Sequence, residues 1–289
     1  MKVLSFGEIL WDIYPDKKFL GGASLNFGAH LAKHGEDVYM LSALGRDVLG
    51  DAALEQVKAW GMKDTYVSVL DGRETGKCLV TLDENAVPSY DLLSDVAYDY
   101  ICCDNVADAF DVLYFGTLAL RGEYNRCALE NLLATNSFKE VFVDVNIRKP
   151  FYTAQTVRFA VENATVLKVS LEELQTVSAL LGMELTQDCQ MFTKTLANTF
   201  ENLKCIIITL GKDGAYAYDC VGKTGFFTAS KQVQVVSTVG AGDSFSAAFL
   251  HKYMQGLDMP TCLEYANTVA CKVVSSMDAV PDYCVDDFH

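Results

Sequence analysis

Short, nearly continuous apolar runs alternate with amphipathic stretches of helical spacing along most of this chain, and that alternation limits the fold more than any other feature. Residues 3–6, 38–43, 111–115, 141–145, 166–169 and 205–210 read as strands. Runs without an exposed polar face belong to strands covered on both sides. Between them, 24–34, 49–60, 123–134, 153–162, 171–181 and 190–201 read as helices, with Gly35, Gly61 and Gly182 placed where helices end. Strand, helix, strand in repetition predicts an α/β fold with a doubly wound, mainly parallel sheet flanked by helices. Two stretches depart from the rhythm. Residues 77–93 read as two extended runs joined by a turn at 83–85, either an edge hairpin or a flap over a site. Residues 215–218 and 225–228 form a second hairpin candidate, followed by long helical patterns at 241–255 and 260–277. No repeat and no Pro-, Gly- or Ser-rich linker divides the 289 residues, so a single domain carrying an insertion is expected.

Composition excludes several function classes. Hydrophobic residues make up 51% and charged residues 21%, enough for a large core. A net charge of −15 disfavours nucleic acid and anionic lipid as partners. A phosphate site on such a chain has to use backbone amides and a metal ion rather than a basic surface. The ten cysteines include no C-x-x-C pair and are read as reduced thiols in a reducing compartment, not as a zinc site. Glu8 and Asp12 interrupt the N-terminal apolar run, which reads as a first strand and not as a signal peptide. No apolar run approaches the ~20 residues of a membrane span. The expectation is a soluble, cytoplasmic protein.

Chemistry concentrates in four segments. In STVGAGDSFSAAF, the turn Gly240-Ala241-Gly242 opens a helix. Glycines let amides approach a ligand, and a helix N-terminus adds unpaired N–H groups and a positive dipole end, which together form an anion hole for a phosphoryl group. Asp243 then reads either as a carboxylate complementing the dipole or as a base that takes a proton from an attacking hydroxyl. In FLGGASLNFGAHLAKHG, Gly22 precedes a helix from whose first turn Asn26 projects, and Asp12 lies in an apolar run where a buried carboxylate needs a partner or a ligand. In VFVDVNIRKPF, Asp144, Asn146 and Arg148 alternate at a strand end, where open α/β sheets bind ligands. In LKVSLEEL and CIIITLGKDGAY, polar groups again close strands, and Glu173 reads as a metal or metal-water ligand or as a surface charge. The absence of G-x-x-x-x-G-K-[ST] excludes a Walker-type NTPase, and the late G-x-G without its third glycine argues against a dinucleotide-binding opening.

Taken in order, GEILWDIYP, LGGASLNFGAHLAKHG, GRDVLGD, DVNIRKPF, ITLGKDGA, STVGAGDSFSAAF and YANTVA resemble the ribokinase-like sugar kinases of the phosphofructokinase-B type, and among them the fructokinases. The resemblance spans nearly the whole chain. It implies one ribokinase-like domain, 1–289, with a small β lid from about 11–20 and 67–98. It implies Asp243 as catalytic base and Gly240, Ala241 and Gly242 as anion hole. Asp12, Gly22, Asn26, Asn146, Arg148 and Asp243 match substrate positions. Ser170, Thr209, Gly211, Gly214, Gly242 and Asn267 match the nucleotide site, and Glu173 matches a Mg²⁺-associated carboxylate. The implied activity is ATP-dependent phosphorylation of a sugar primary hydroxyl with Mg²⁺, fructose foremost. Phosphorylation of 2-keto-3-deoxygluconate, ribose or a nucleoside is the alternative, and a catalytically silent sugar sensor is the rival of another class. Three positions depart from the pattern: Ser170 in place of Asn, Ser237 in place of Asp, and Asp278 near a usual Gly. The last two lie in regions that build a monovalent-cation site in many relatives, which leaves K⁺ open. The lid mediates dimers in many members, so a homodimer through it is compatible with the resemblance.

Overall fold

A computed structural model describes residues 1–82 and 88–288. In chain order the strands and helices are β1 (Lys2–Phe6), β2 (Leu10–Ile13), β3 (Lys18–Gly21), α1 (Ala23–Lys33), β4 (Asp37–Gly45), α2 (Val48–Ala59) and β5 (Lys63–Leu70). They continue with β6 (Gly76–Leu82), β7 (Pro88–Leu92), β8 (Val112–Gly116), α3 (Glu123–Thr135), β9 (Glu140–Asp144), α4 (Ala154–Asn163) and β10 (Val166–Ser170). The last are α5 (Leu174–Leu181), α6 (Cys189–Thr199), β11 (Cys205–Thr209), β12 (Ala215–Asp219), β13 (Thr224–Thr228), α7 (Ala241–Met254) and α8 (Met259–Val274).

A nine-stranded sheet runs β13-β12-β11-β10-β9-β8-β1-β4-β5. All pairs from β11 to β5 are parallel, and the β12–β13 hairpin closes one edge antiparallel. Alternate residues of each central strand enter two different cores. Val3, Tyr114, Phe142, Val166 and Ile207 pack with α1, α2, α7 and α8. Leu4, Leu113, Val143, Leu167 and Ile208 pack with α3, α4, α5 and α6. Both sets are apolar because both faces of the sheet are covered, which is why the strands read as unbroken runs. Chain order reverses between β1 and β8, and open α/β sheets bind ligands beyond the strand ends at such a switch point.

A second sheet, β3-β2-β6-β7, stands apart with its own small core of Leu10, Cys78, Val80, Val96, Tyr98 and Leu118. Asp47 ties the approach to β6 down. It caps α2 by accepting from the Gly50 amide at 2.7 Å, and it accepts from the Thr75 amide and hydroxyl, each at 2.8 Å. Expected boundaries shift in three places. The small sheet takes strands ending at 92, whereas 67–70 of the expected lid stretch belongs to β5 at the edge of the large sheet. β2 and β3 are separate strands rather than extensions of the first. The helix expected at 171–181 begins as a 3-10 turn, Leu171–Glu173. The turn expected at 83–85 lies outside the described residues. No helix among the described residues is long and apolar enough to cross a membrane.

Candidate active site

One cleft of about 1360 Å³ crosses the carboxyl ends of the parallel strands beneath the small sheet. Of the residues singled out in these segments, Asp12, Gly22 and Asn26 line it at one end and Asn146 and Arg148 after β9, whereas Asp144 is fully buried beneath it. Ser170 and Glu173 follow β10, Thr209, Gly211 and Gly214 follow β11, Asn267 belongs to α8, and the stretch 240–243 opens α7.

The start of α7 is set by backbone geometry. Gly240 adopts φ +79°, and a Cβ there would stand 2.5 Å from the Ala279 carbonyl oxygen, so only glycine makes this turn without displacing the 279 backbone. Asp243 follows in the first helical turn, partly buried. The Asn26 amide, from the first turn of α1, donates to its carboxylate at 2.8 Å. Burial pushes the Asp243 carboxyl up to about 6, against the Asn26 bond and the positive charges of Lys168 and Arg148. The Asn26 carbonyl oxygen is buried without a partner among the described residues, an acceptor free for a hydroxyl. Gly22 is fixed by close approach too: at φ +119° a Cβ would stand 2.4 Å from the Glu8 carbonyl oxygen. The Glu8 carboxylate accepts from the Ala23 amide at 2.8 Å, and burial raises its carboxyl.

Asp12 lies on β2 opposite Cys78 of β6, whose thiol favours its carboxylate form. Burial raises the Asp12 carboxyl while Cys78 and Arg148 hold it down. The strand-end carboxylate thus has the partner its setting requires, and it still faces the cleft. Asn146 takes φ +41°, an uncommon conformation outside glycine that sites tolerate when the surroundings impose it. Glu173 accepts from the Ile147 amide at 2.5 Å and the Ser170 amide at 2.8 Å, so it joins the β9 and β10 loops. Each carboxylate oxygen keeps a lone pair beyond these bonds. At the far end, a Cβ on Gly214 would stand 2.1 Å from the Thr228 carbonyl oxygen, and Asn267 donates to that same oxygen at 3.3 Å.

Lys168 was not singled out in the sequence. It sits mid-strand in β10, 6% exposed, with its ammonium 3.0 and 3.1 Å from the two carboxylate oxygens of Asp144. A lone lysine in the apolar run VLKVS is the signal that marks it. Its partner, 24 residues earlier, is identified only by the β9–β10 register, in which the two residues face each other.

A mainly parallel sheet with a glycine turn opening a helix at its strand ends, a carboxylate in that helix's first turn and a second small sheet above can hold an anion beside a proton acceptor, as phosphoryl transfer requires. The chain matches the pfkB carbohydrate kinase model over residues 15–283 and belongs to that family. It is 27% identical to a 5-dehydro-2-deoxygluconokinase of Lacticaseibacillus casei, covering 98% of this chain and 89% of that protein. It is 26% identical to an Arabidopsis thaliana protein described as a probable fructokinase-3, covering 96% and 87%. The fold is shared with a fructokinase of Vibrio cholerae O395 in fructose, ADP and calcium ion bound form, at TM-score 0.83, 19% identity and coverage of 99% and 98%.

Proposed function

We propose that this carbohydrate kinase transfers the γ-phosphoryl group of ATP to a primary hydroxyl of a neutral sugar, fructose foremost. The observation that carries the reading is the Asn26–Asp243 bond at the first turn of α7, which sets a base beside the amides at 240–242. The sugar lies against Asp12 and the free carbonyl of Asn26, under the small sheet acting as a lid that excludes water. ATP lies along the strand ends toward Thr209, Gly211, Gly214 and Asn267, with its γ-phosphoryl on the amides. The sugar oxygen attacks phosphorus, the bond to the bridging oxygen of ADP breaks, and Asp243 takes the hydroxyl proton. Amides and helix dipole offset the phosphoryl charge without reorganising.

Among the described residues no three His, Cys, Asp or Glu side chains gather to hold a metal. Mg²⁺ commonly takes one or two carboxylates plus phosphates and water, so the free lone pairs of Glu173 fit it or its waters. When bound, Mg²⁺ supplies charge neutralisation at the phosphate oxygens.

The acidic floor made by Glu8 and Asp12 favours a neutral sugar. Arg148 is the observation that favours a second reading, a sugar acid such as 5-dehydro-2-deoxygluconate or 2-keto-3-deoxygluconate, because it faces Glu8, Asp12 and Asp243 and can pair with a substrate carboxylate. ADP release from Mg·ATP decides, measured with fructose, ribose, adenosine and both sugar acids, with and without K⁺. Turnover on fructose alone supports the proposal. Turnover confined to the sugar acids transfers the role to Arg148. Sugar binding without turnover on any of them makes the chain a silent sensor.

A further inference from the structure

We propose that Lys168 is a catalytic residue of the phosphoryl site, its ammonium contacting the transferring group from beneath Gly242. The proposal rests on the reading that the γ-phosphoryl lies on the amides at 240–242.

Lys168 shares strand parity with Val166, which packs in the α1, α2, α7 and α8 core, so its side chain rises toward the start of α7. An ammonium in that layer is costly unless paired. Asp144, fully buried, pairs with it through both oxygens. A lysine ammonium has three N–H groups, and two are used by Asp144. The third has no partner among the described residues, while Lys168 borders the cleft. The ammonium nitrogen lies 3.1 Å from where a Cβ on Gly242 would stand. Gly242 has an ordinary helical backbone, and a Cβ there would meet only the end of Lys168, so the missing side chain leaves room for the ammonium beside the amides.

Charge points the same way. Asp144, Glu173 and Asp243 all act on Lys168, so a phosphoryl group approaching the amides meets three carboxylates at this corner. Lys168 is the buried cation among them. A well-packed apolar pair at 144 and 168 would hold β9 against β10 as well as an ion pair does. An ion pair with one donor left over suits an anionic ligand. During transfer the third N–H donates to a non-bridging phosphoryl oxygen, and Asp144 holds the ammonium in place while charge builds there.

The experiment replaces both partners, so that no charge is left buried alone: Lys168→Met with Asp144→Asn, and in parallel Lys168→Gln with Asp144→Asn, which keeps a neutral hydrogen bond across β9–β10. Binding of Mg·ADP and of the β,γ-imido analogue of Mg·ATP is measured by calorimetry, and kcat and sugar KM on the substrate found above. The expected result is ADP affinity within about threefold of wild type and loss of about tenfold in the extra affinity given by the γ-phosphoryl. The same variants lose on the order of 10²-fold in kcat with sugar KM little changed. Equal weakening of both nucleotides, retention of the γ-phosphoryl increment in either folded variant, or a wild type without that increment overturns the proposal. Absence of turnover on every sugar overturns the sugar reading alone, since the nucleotide comparison needs no acceptor.

Discussion

To act as the proposed base Asp243 has to be unprotonated, yet burial favours its neutral form and pushes its carboxyl up to about 6. The Asn26 bond and the charges of Lys168 and Arg148 keep that rise from going further. A base of this kind loses activity in its protonated form, so kcat/KM should fall about tenfold per pH unit below an acid limb centred near pH 6. A pH–rate profile flat down to pH 5 would remove Asp243 from the role. Asn26→Ala withdraws a donor that favours the carboxylate, so its acid limb should move to higher pH. A structural role for Asn26 alone predicts lower kcat with the limb unmoved. Asp243→Asn should preserve folding and nucleotide binding and lower kcat by ~10²–10⁴, read by steady-state turnover together with calorimetry.

The turn into α7 contains two glycines whose reasons differ, and substitution separates them. Gly240→Ala has to adopt φ +79° and meets the Ala279 backbone, so it should destabilise the fold by about 1–3 kcal/mol in urea unfolding. Gly242→Ala meets only the flexible end of Lys168, so it should fold near wild-type stability and lose kcat by displacing the ammonium. Equal stability losses in the two variants would refute this division. This segment was legible in the sequence because glycines, carboxylate and helix are contiguous there. The central strands were legible because burial on both faces makes them apolar throughout. β5 was not: it is an edge strand, KDTYVSVL, with charges at its start and half-exposed side chains. β2 and β3, four residues each, carry Asp12 and Lys18 and are too short to show a period. The role of Lys168 depends on register, which local sequence does not encode.

Across the whole molecule, the turn into α7 is braced by residues outside the cleft's centre. Gly240 turns against Ala279, and His30 of α1 meets the Ala279 carbonyl at 3.0 Å and the Tyr283 hydroxyl at 2.7 Å. His34, one turn on, packs its ring against His251, Tyr265 and Tyr283, and its Nε2 is buried without a partner among the described residues. Burial lowers His34 to about 4 and His30 to about 3; for His34 the bond to the His30 carbonyl opposes burial, the neighbouring His251 and Lys252 lower it further, and Glu36 raises it. An imidazole near 6.5 when unfolded and lower when folded leaves more protons on the unfolded chain between those values. Stability therefore declines as pH falls through 6.5 and stops declining once the folded ring also protonates. At pH 5 the loss from His34 alone is on the order of 2 kcal/mol. Asp243 and Glu8, raised by burial, act in the opposite sense, so the total acid response of the wild type does not isolate any one group. A comparison with His34→Leu does, because the other groups remain in both proteins. Leucine removes an unpartnered buried nitrogen, so the variant should match wild type within about 1 kcal/mol at pH 7. At pH 5 it should be the more stable by roughly 2 kcal/mol beyond any difference at pH 7. Urea unfolding at the two pH values reads this directly, and a stability difference that does not change with pH would show that His34 titrates alike in the folded and unfolded chain.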